Sequence, residues 1–100
     1  MVYKIRVLPL AGLELDEIDR YLTENYPGKA KRFFKAFLKQ RDRIRKHPFM
    51  FRAYEDFPPY RMAPVLDYIA FYIVNEETKV VEIHRILWGE MDLPNRLNEG

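Results

Sequence analysis

Tyr68-Ile-Ala-Phe-Tyr-Ile-Val74, then Asn75-Glu-Glu-Thr78, then Lys79-Val-Val-Glu-Ile-His-Arg-Ile-Leu-Trp88 is the stretch whose reading decides the fold. The first run is apolar nearly throughout, which suits a central strand covered on both faces. The next four residues supply a turn, and the third run reads as a second strand. A strand over residues 60–66 precedes this pair. Pro64 cannot donate to a ladder, so that strand is expected at a sheet edge or at a bulge. Upstream, residues 48–59 read as a loop carrying Phe49, Phe51, Tyr54 and Phe57. It is too apolar to stand free and is expected to pack over one end of the core.

The N-terminal half has a different period. Residues 2–8 alternate, with Val2, Tyr3, Ile5 and Val7 suited to a strand, and Pro9 and Gly12 are expected to end it. Leu15, Ile18 and Leu22 predict a helix over 13–26 with acids in its first turn, where the dipole favours them. Pro27-Gly28 breaks it. A second helix is expected over 28–46, with Ala30, Phe33, Phe34, Phe37, Leu38 and Ile44 on one stripe and Arg41 interrupting. Neighbouring helical positions lie about 100° apart, so one of Phe33 and Phe34 should face the sheet and the other the flank. His47-Pro48 stops this helix, because a residue before proline is pushed out of the α region. The order is β-α-α-β-β-β, an α+β domain with a helical hairpin on one face of a single sheet.

Length and composition agree with one domain over 1–100. The chain is 48% hydrophobic with 15% aromatic residues, which excludes disorder. It has no cysteine, excluding a disulfide scaffold, a thiolate metal site and a cysteine nucleophile. It has no serine either, so a serine nucleophile is excluded. No run approaches the roughly 20 apolar residues of a membrane span, and the N-terminus does not read as a signal peptide. The expectation is a soluble cytoplasmic protein without membrane contact.

Charge is unevenly placed. Nine bases (Lys29, Lys31, Arg32, Lys35, Lys39, Arg41, Arg43, Arg45 and Lys46) fall between Gly28 and His47 with Asp42 as the only acid, in a chain of net charge +2. The first helix is acidic, with Glu14, Asp16, Glu17, Asp19 and Glu24 against Arg20. Two readings fit: the helices present opposite charges to each other, or the basic face meets an acidic partner.

Sites of familiar chemistry are sparse. His47 and His84 lack ligand-like spacing, and four scattered glycines form no phosphate-binding pattern, so neither metal nor cofactor is expected. His84 could act as an acid or base or be a structural histidine. By alternation it shares a face with Val80, Glu82, Ile86 and Trp88. His47 reads first as a helix cap. Arg61 and Arg85 could face phosphate, a partner carboxylate or an internal ion pair. Trp88 could be core or a contact residue.

Taken in order, these pieces resemble the RelE/ParE superfamily of toxins from type II toxin–antitoxin modules, over nearly the whole chain. The resemblance rests on the opening strand, Leu15-Asp-Glu-Ile18 with Tyr21, Ala30 and Phe33, Pro48, Tyr60-Arg61, Tyr72, Val81-Glu-Ile-His-Arg-Ile-Leu-Trp-Gly89, Asp92 and Leu97. It implies a small antiparallel sheet carrying an N-terminal helical hairpin. It also implies a partner, a ParD- or RelB-like antitoxin whose C-terminal segment folds on the toxin. Phe34, Lys35, Lys39 and Arg43 are the residues expected to receive that segment. Arg61, Arg85 and Trp88 are expected to meet the target, with no sequence-specific DNA binding by this chain.

Two branches of the superfamily imply different activities. RelE-like members cleave mRNA on the ribosome and often end the last strand in histidine-glycine-arginine-arginine-aspartate. Here the residues are Trp88-Gly89-Glu90-Met91-Asp92. An indole cannot titrate, and Glu90 would repel a charged phosphorane, so the ribonuclease set is largely absent. Arg61, His84 and Arg85 are the weak catalytic candidates that remain. ParE-like members inhibit DNA gyrase without a catalytic set and are associated with plasmid stabilisation, and the resemblance is nearer to them. The alternatives are the RelE-like endonuclease and a decayed toxin that only binds antitoxin.

Overall fold

The structure is a computed structural model and describes residues 2–89 and Leu97. Its elements are β1 (Lys4–Val7), α1 (Pro9–Asn25), α2 (Pro27–Lys46), β2 (Ala53–Tyr54), β3 (Phe57–Val65), β4 (Tyr68–Asn75) and β5 (Val80–Trp88). The strands form one sheet in the order β1-β5-β4-β3-β2. Pairing is antiparallel from β2 through β5, while β1 lies parallel to β5 with Ile5 opposite Val81. The sheet is therefore mixed and five-stranded, a correction to the antiparallel sheet that the resemblance implied. The chain between β1 and β5 runs through α1, α2 and β2–β4, a connection long enough for the crossover that parallel neighbours require.

Helix α1 begins at Pro9, four residues before the expected start. Proline's fixed φ and missing N–H suit the first helical position. Pro9 therefore opens the helix, and Gly12 sits within it, with open space where a Cβ would stand. No acid lies in this first turn. What fixes the start is docking on β5: the Leu8 amide donates to the Ile83 carbonyl at 3.0 Å, and Ala11 is fully buried. The hairpin is equally tight. Tyr26 alone separates the helices and caps both, so Pro27 and Gly28 belong to the first turn of α2.

The buried stripe of α2 is Ala30, Phe33, Phe37, Gln40 and Ile44, alternating steps of three and four. Phe33 is 2% exposed and Phe34 55%, the division expected of adjacent positions. Leu38 also turns outward, and Gln40 takes a place on the stripe that apolarity did not reveal. Its Nε2 donates to the Pro64 carbonyl at 2.6 Å. Pro64 pairs with Ile69 on its inner side. On its outer side no strand pairs with it among the described residues, so its missing N–H costs no ladder bond.

The segment read as a loop over 48–59 contains β2 and the start of β3, paired at Tyr54–Phe57. Three of its four aromatic rings pack inward: Phe51 joins the helix-side core, and Tyr54 and Phe57 join a cluster on the opposite face with Tyr60, Met62, Phe71, Leu87 and Leu97, while Phe49 stays largely exposed. Phe71 and Tyr72, adjacent in β4, are both fully buried, one on each face.

One irregularity has wide consequences. Phe71 pairs with Arg85 but Tyr72 pairs with Ile83, so β5 carries one extra residue at a bulge around His84. Beyond it the alternation changes phase. Ile86 joins the helix-side core and Leu87 the opposite face. The expectation that His84 shares a face with Ile86 and Trp88 therefore fails.

Candidate functional site

Arg61 lies mid-strand in β3, opposite Tyr72. Ala63 and Val65, its same-face neighbours, belong to the helix-side core, so Arg61 projects to that side. One guanidinium nitrogen donates to the Phe51 carbonyl at 2.7 Å, and the group lies 4.9 Å from the Phe49 ring centre. Beside it, the Tyr72 hydroxyl donates to the Pro48 carbonyl at 2.8 Å. Burial pushes the Tyr72 phenol up to about 12, against the opposing pull of the Arg61 charge and a Phe51 backbone hydrogen bond. Arg61 and Tyr72 thus pin the segment after α2 onto the sheet. We expect Arg61→Ala to cost about 1–2 kcal/mol in urea unfolding, one charged hydrogen bond with a partly exposed ring contact. A loss above about 3 kcal/mol would show that Arg61 is a folding residue alone.

Arg85 does not face outward. It is 4% exposed, and its Nε and Nη2 donate to the Glu14 carboxylate at 2.8–3.2 Å. Glu14 Oε1 also accepts the Ile86 amide at 2.9 Å. The bulge turns Arg85 toward α1, where Glu14 meets it, so its expected roles in catalysis and target contact are corrected to an internal ion pair. Glu14 was missed because it read as one of several surface acids. Its sequence signal is its spacing: it lies four positions before Ile18, on the buried stripe.

His84 lies on the face away from the helices, with its ring edge-on to Tyr60 at 5.4 Å. Glu82 Oε1 is 3.5 Å from its Nε2, which is buried without a hydrogen-bond partner among the described residues. Arg61 and His84 are therefore on opposite faces, with Arg85 sequestered. The three catalytic candidates do not converge on any one phosphate position. Glu90, Met91 and Asp92 lie outside the described residues. Among the described residues no group of three or more histidine and carboxylate side chains is placed to hold a metal ion.

What the helices expose is more coherent. Lys35, Lys39 and Arg43 stand four residues apart on the exposed side of α2, beside the outward ring of Phe34 and the side chain of Leu38. Across from Phe34, Leu13 is 60% exposed, and Val7, Pro9, Leu13, Asp16 and Phe34 help line an open cavity of about 490 Å³. Leu13 was missed as a surface contributor because the helix was expected to begin there. No ion pair joins α1 to α2 among the described residues; Asp42 pairs within its own helix with Lys46 at 3.1 Å and Arg45 at 3.4 Å. The opposite charges of the hairpin are thus not spent on each other. Trp88, 43% exposed at the end of β5, is a surface residue and not core.

The family model of the ParE toxin of the type II toxin–antitoxin system parDE matches residues 5–93. Among curated proteins none matches significantly. Among solved structures, the chromosomal ParDE toxin–antitoxin system from P. aeruginosa superposes with a TM-score of 0.73 at 18% identity, covering 89% of this chain and 98% of that one. The archaeal RelE–RelB complex from Pyrococcus horikoshii gives 0.62 at 19% identity, covering 90% and 98%. The RelBE2 toxin–antitoxin complex from Mycobacterium tuberculosis gives 0.61 at 15% identity, covering 88% and 99%. These likenesses show a shared fold.

Proposed function

The chain belongs to the ParE toxin family of type II toxin–antitoxin systems, and from that premise we propose that it is a non-enzymatic inhibitor of DNA gyrase acting in the cytoplasm. The observation that supports the non-enzymatic reading is the separation of Arg61, His84 and Arg85. Ribonucleolytic chemistry needs a proton-transfer group and a cation at one phosphate. Here the histidine and the accessible arginine occupy opposite faces of the sheet, and the other arginine is held by Glu14. An inhibitor that traps its target by binding needs no such convergence. Gyrase as the target follows from the family and from no side chain described above.

Its partner in this reading is a cognate ParD- or RelB-like antitoxin that neutralises it. The surface best suited to that partner is the exposed strip of Phe34, Lys35, Lys39 and Arg43 with the neighbouring cavity lined in part by Leu13. An antitoxin segment with acidic residues around apolar anchors would match it. Trp88 and Arg61 are proposed as target contacts.

The test is induction of the chain in a susceptible bacterium, with plasmid supercoiling and mRNA integrity followed side by side, and purified protein added to purified gyrase. We expect supercoiling to fail and cleaved DNA to accumulate while mRNA stays intact. Cleavage of ribosome-bound mRNA, lost on Arg61→Ala, would establish the RelE-like alternative instead. Growth unaffected by soluble chain that still binds antitoxin would identify a decayed toxin.

A further inference from the structure

The tip of the helical hairpin, the β3–β4 turn and the end of β5 surround an open groove of about 520 Å³. Tyr21, Tyr26, Tyr68 and Trp88 line it together with Glu17 and Lys29. Tyr21 and Tyr26 are 53% and 55% exposed, and their ring centres are 6.3 Å apart at 59°. Tyrosine and tryptophan rings gathered in one concave place mark a contact site more than they serve the core. Trp88 reaches this side because the bulge shifts the phase of β5. It is held there by a tight closure: the Gly89 amide donates to the Asp67 carbonyl at 2.9 Å, and a Cβ on Gly89 would stand 3.2 Å from that oxygen.

The charges around the groove are unequal. Lys29 is taken by Asp67, a hydrogen bond that raises the Lys29 pKa. Glu17, on the exposed side of α1, has no ion-pair partner among the described residues. Ring faces are electron-rich and attract cations. Four rings with one uncompensated carboxylate therefore complement a cation on an aliphatic stem, and repel an acid. Leu97 of this chain is packed with Phe71 and Leu87 on the other face of the sheet and does not fill the groove.

We propose that this groove anchors one arginine or lysine side chain, flanked by apolar residues, from a peptide segment of a protein partner. The charge sense is opposite to that of the basic strip on α2, so the two surfaces select different parts of a partner. The proposal does not depend on gyrase being the target.

Trp88 is the chain's only tryptophan, so its emission reports on this groove directly. The experiment titrates the full chain with capped heptapeptides whose central arginine is flanked by leucines, and with the same peptides carrying norleucine or glutamate at the centre. We expect a saturable change in Trp88 emission with the arginine peptide, about tenfold weaker binding with norleucine, and none with glutamate. Glu17→Lys, an exposed substitution, should bring the arginine peptide down to the norleucine level without moving the thermal midpoint. Equal affinity for arginine and norleucine, an emission that never changes, or full arginine affinity in Glu17→Lys would each overturn the proposal.

Discussion

Glu14→Ala should destabilise the protein by about 3–5 kcal/mol, the usual cost of removing one partner of a buried ion pair. The carboxylate does three things at once. It neutralises the Arg85 guanidinium, which is 4% exposed, accepts hydrogen bonds from Nε and Nη2, and accepts the Ile86 amide beside the bulge. Alanine would leave a desolvated cation and a buried backbone N–H without that acceptor. Against a total stability of about 5–15 kcal/mol for a domain of this size, that loss shifts much of the protein toward the unfolded state. Glu14→Gln keeps an oxygen for the amide but removes the charge, and should fall between wild type and Glu14→Ala. The paired change Glu14→Leu with Arg85→Met removes both charges and should recover most of the loss, because apolar replacements of buried pairs are often neutral. Urea unfolding of the four proteins checks this. If Glu14→Ala costs under 1 kcal/mol, the pair is not what clamps α1 to β5.

The second large effect concerns the antitoxin. Charge reversal of Lys35, Lys39 and Arg43 together should slow association with the cognate antitoxin by about tenfold or more at low salt, with a smaller change in dissociation. The three side chains are exposed on α2 and contribute little to the core, so the triple variant should stay folded. Raising salt from about 50 to about 500 mM should slow the wild type similarly, since the Debye length contracts to a few ångströms. Phe34→Ala should act the other way, speeding dissociation while leaving association near wild type, because an anchor ring contributes after contact. Stopped-flow or surface-binding kinetics separate the two rates. An association rate indifferent to both salt and charge reversal would leave the basic strip as solvated surface.

Much of this molecule is legible along the chain because its signals are local. The three-and-four spacing of Ala30, Phe33, Phe37 and Ile44 identifies α2, and the apolar run at 68–74 identifies the central strand, without reference to any distant residue. The division between Phe33 and Phe34 follows from helix geometry alone. Boundaries were less legible where a residue's meaning depends on position within an element. Pro9 can end a strand or open a helix, and Pro27 can break one helix or begin the next; only docking against β5 and the closeness of the hairpin select the second reading in each case.

What the sequence by itself determined is the order of the two helices and four of the five strands, the hairpin-on-sheet architecture, the gathering of bases on the second helix and the weakness of the ribonuclease set at Trp88-Gly89-Glu90-Met91. That the basic strip faces outward, and that β2 forms within 48–59, came from the fold. What only the tertiary structure decided is which side chains meet. Glu14 and Arg85 are 71 positions apart and look like surface charges until α1 crosses β5. Strict alternation would put His84, Ile86 and Trp88 on one face, and a single extra residue in β5 separates His84 from the other two. That residue sends Ile86 to the core, Trp88 to the groove and Arg85 to Glu14. Periodicity is a property of one segment, whereas register is a property of two paired strands, so a bulge leaves no mark on the pattern of either strand read alone.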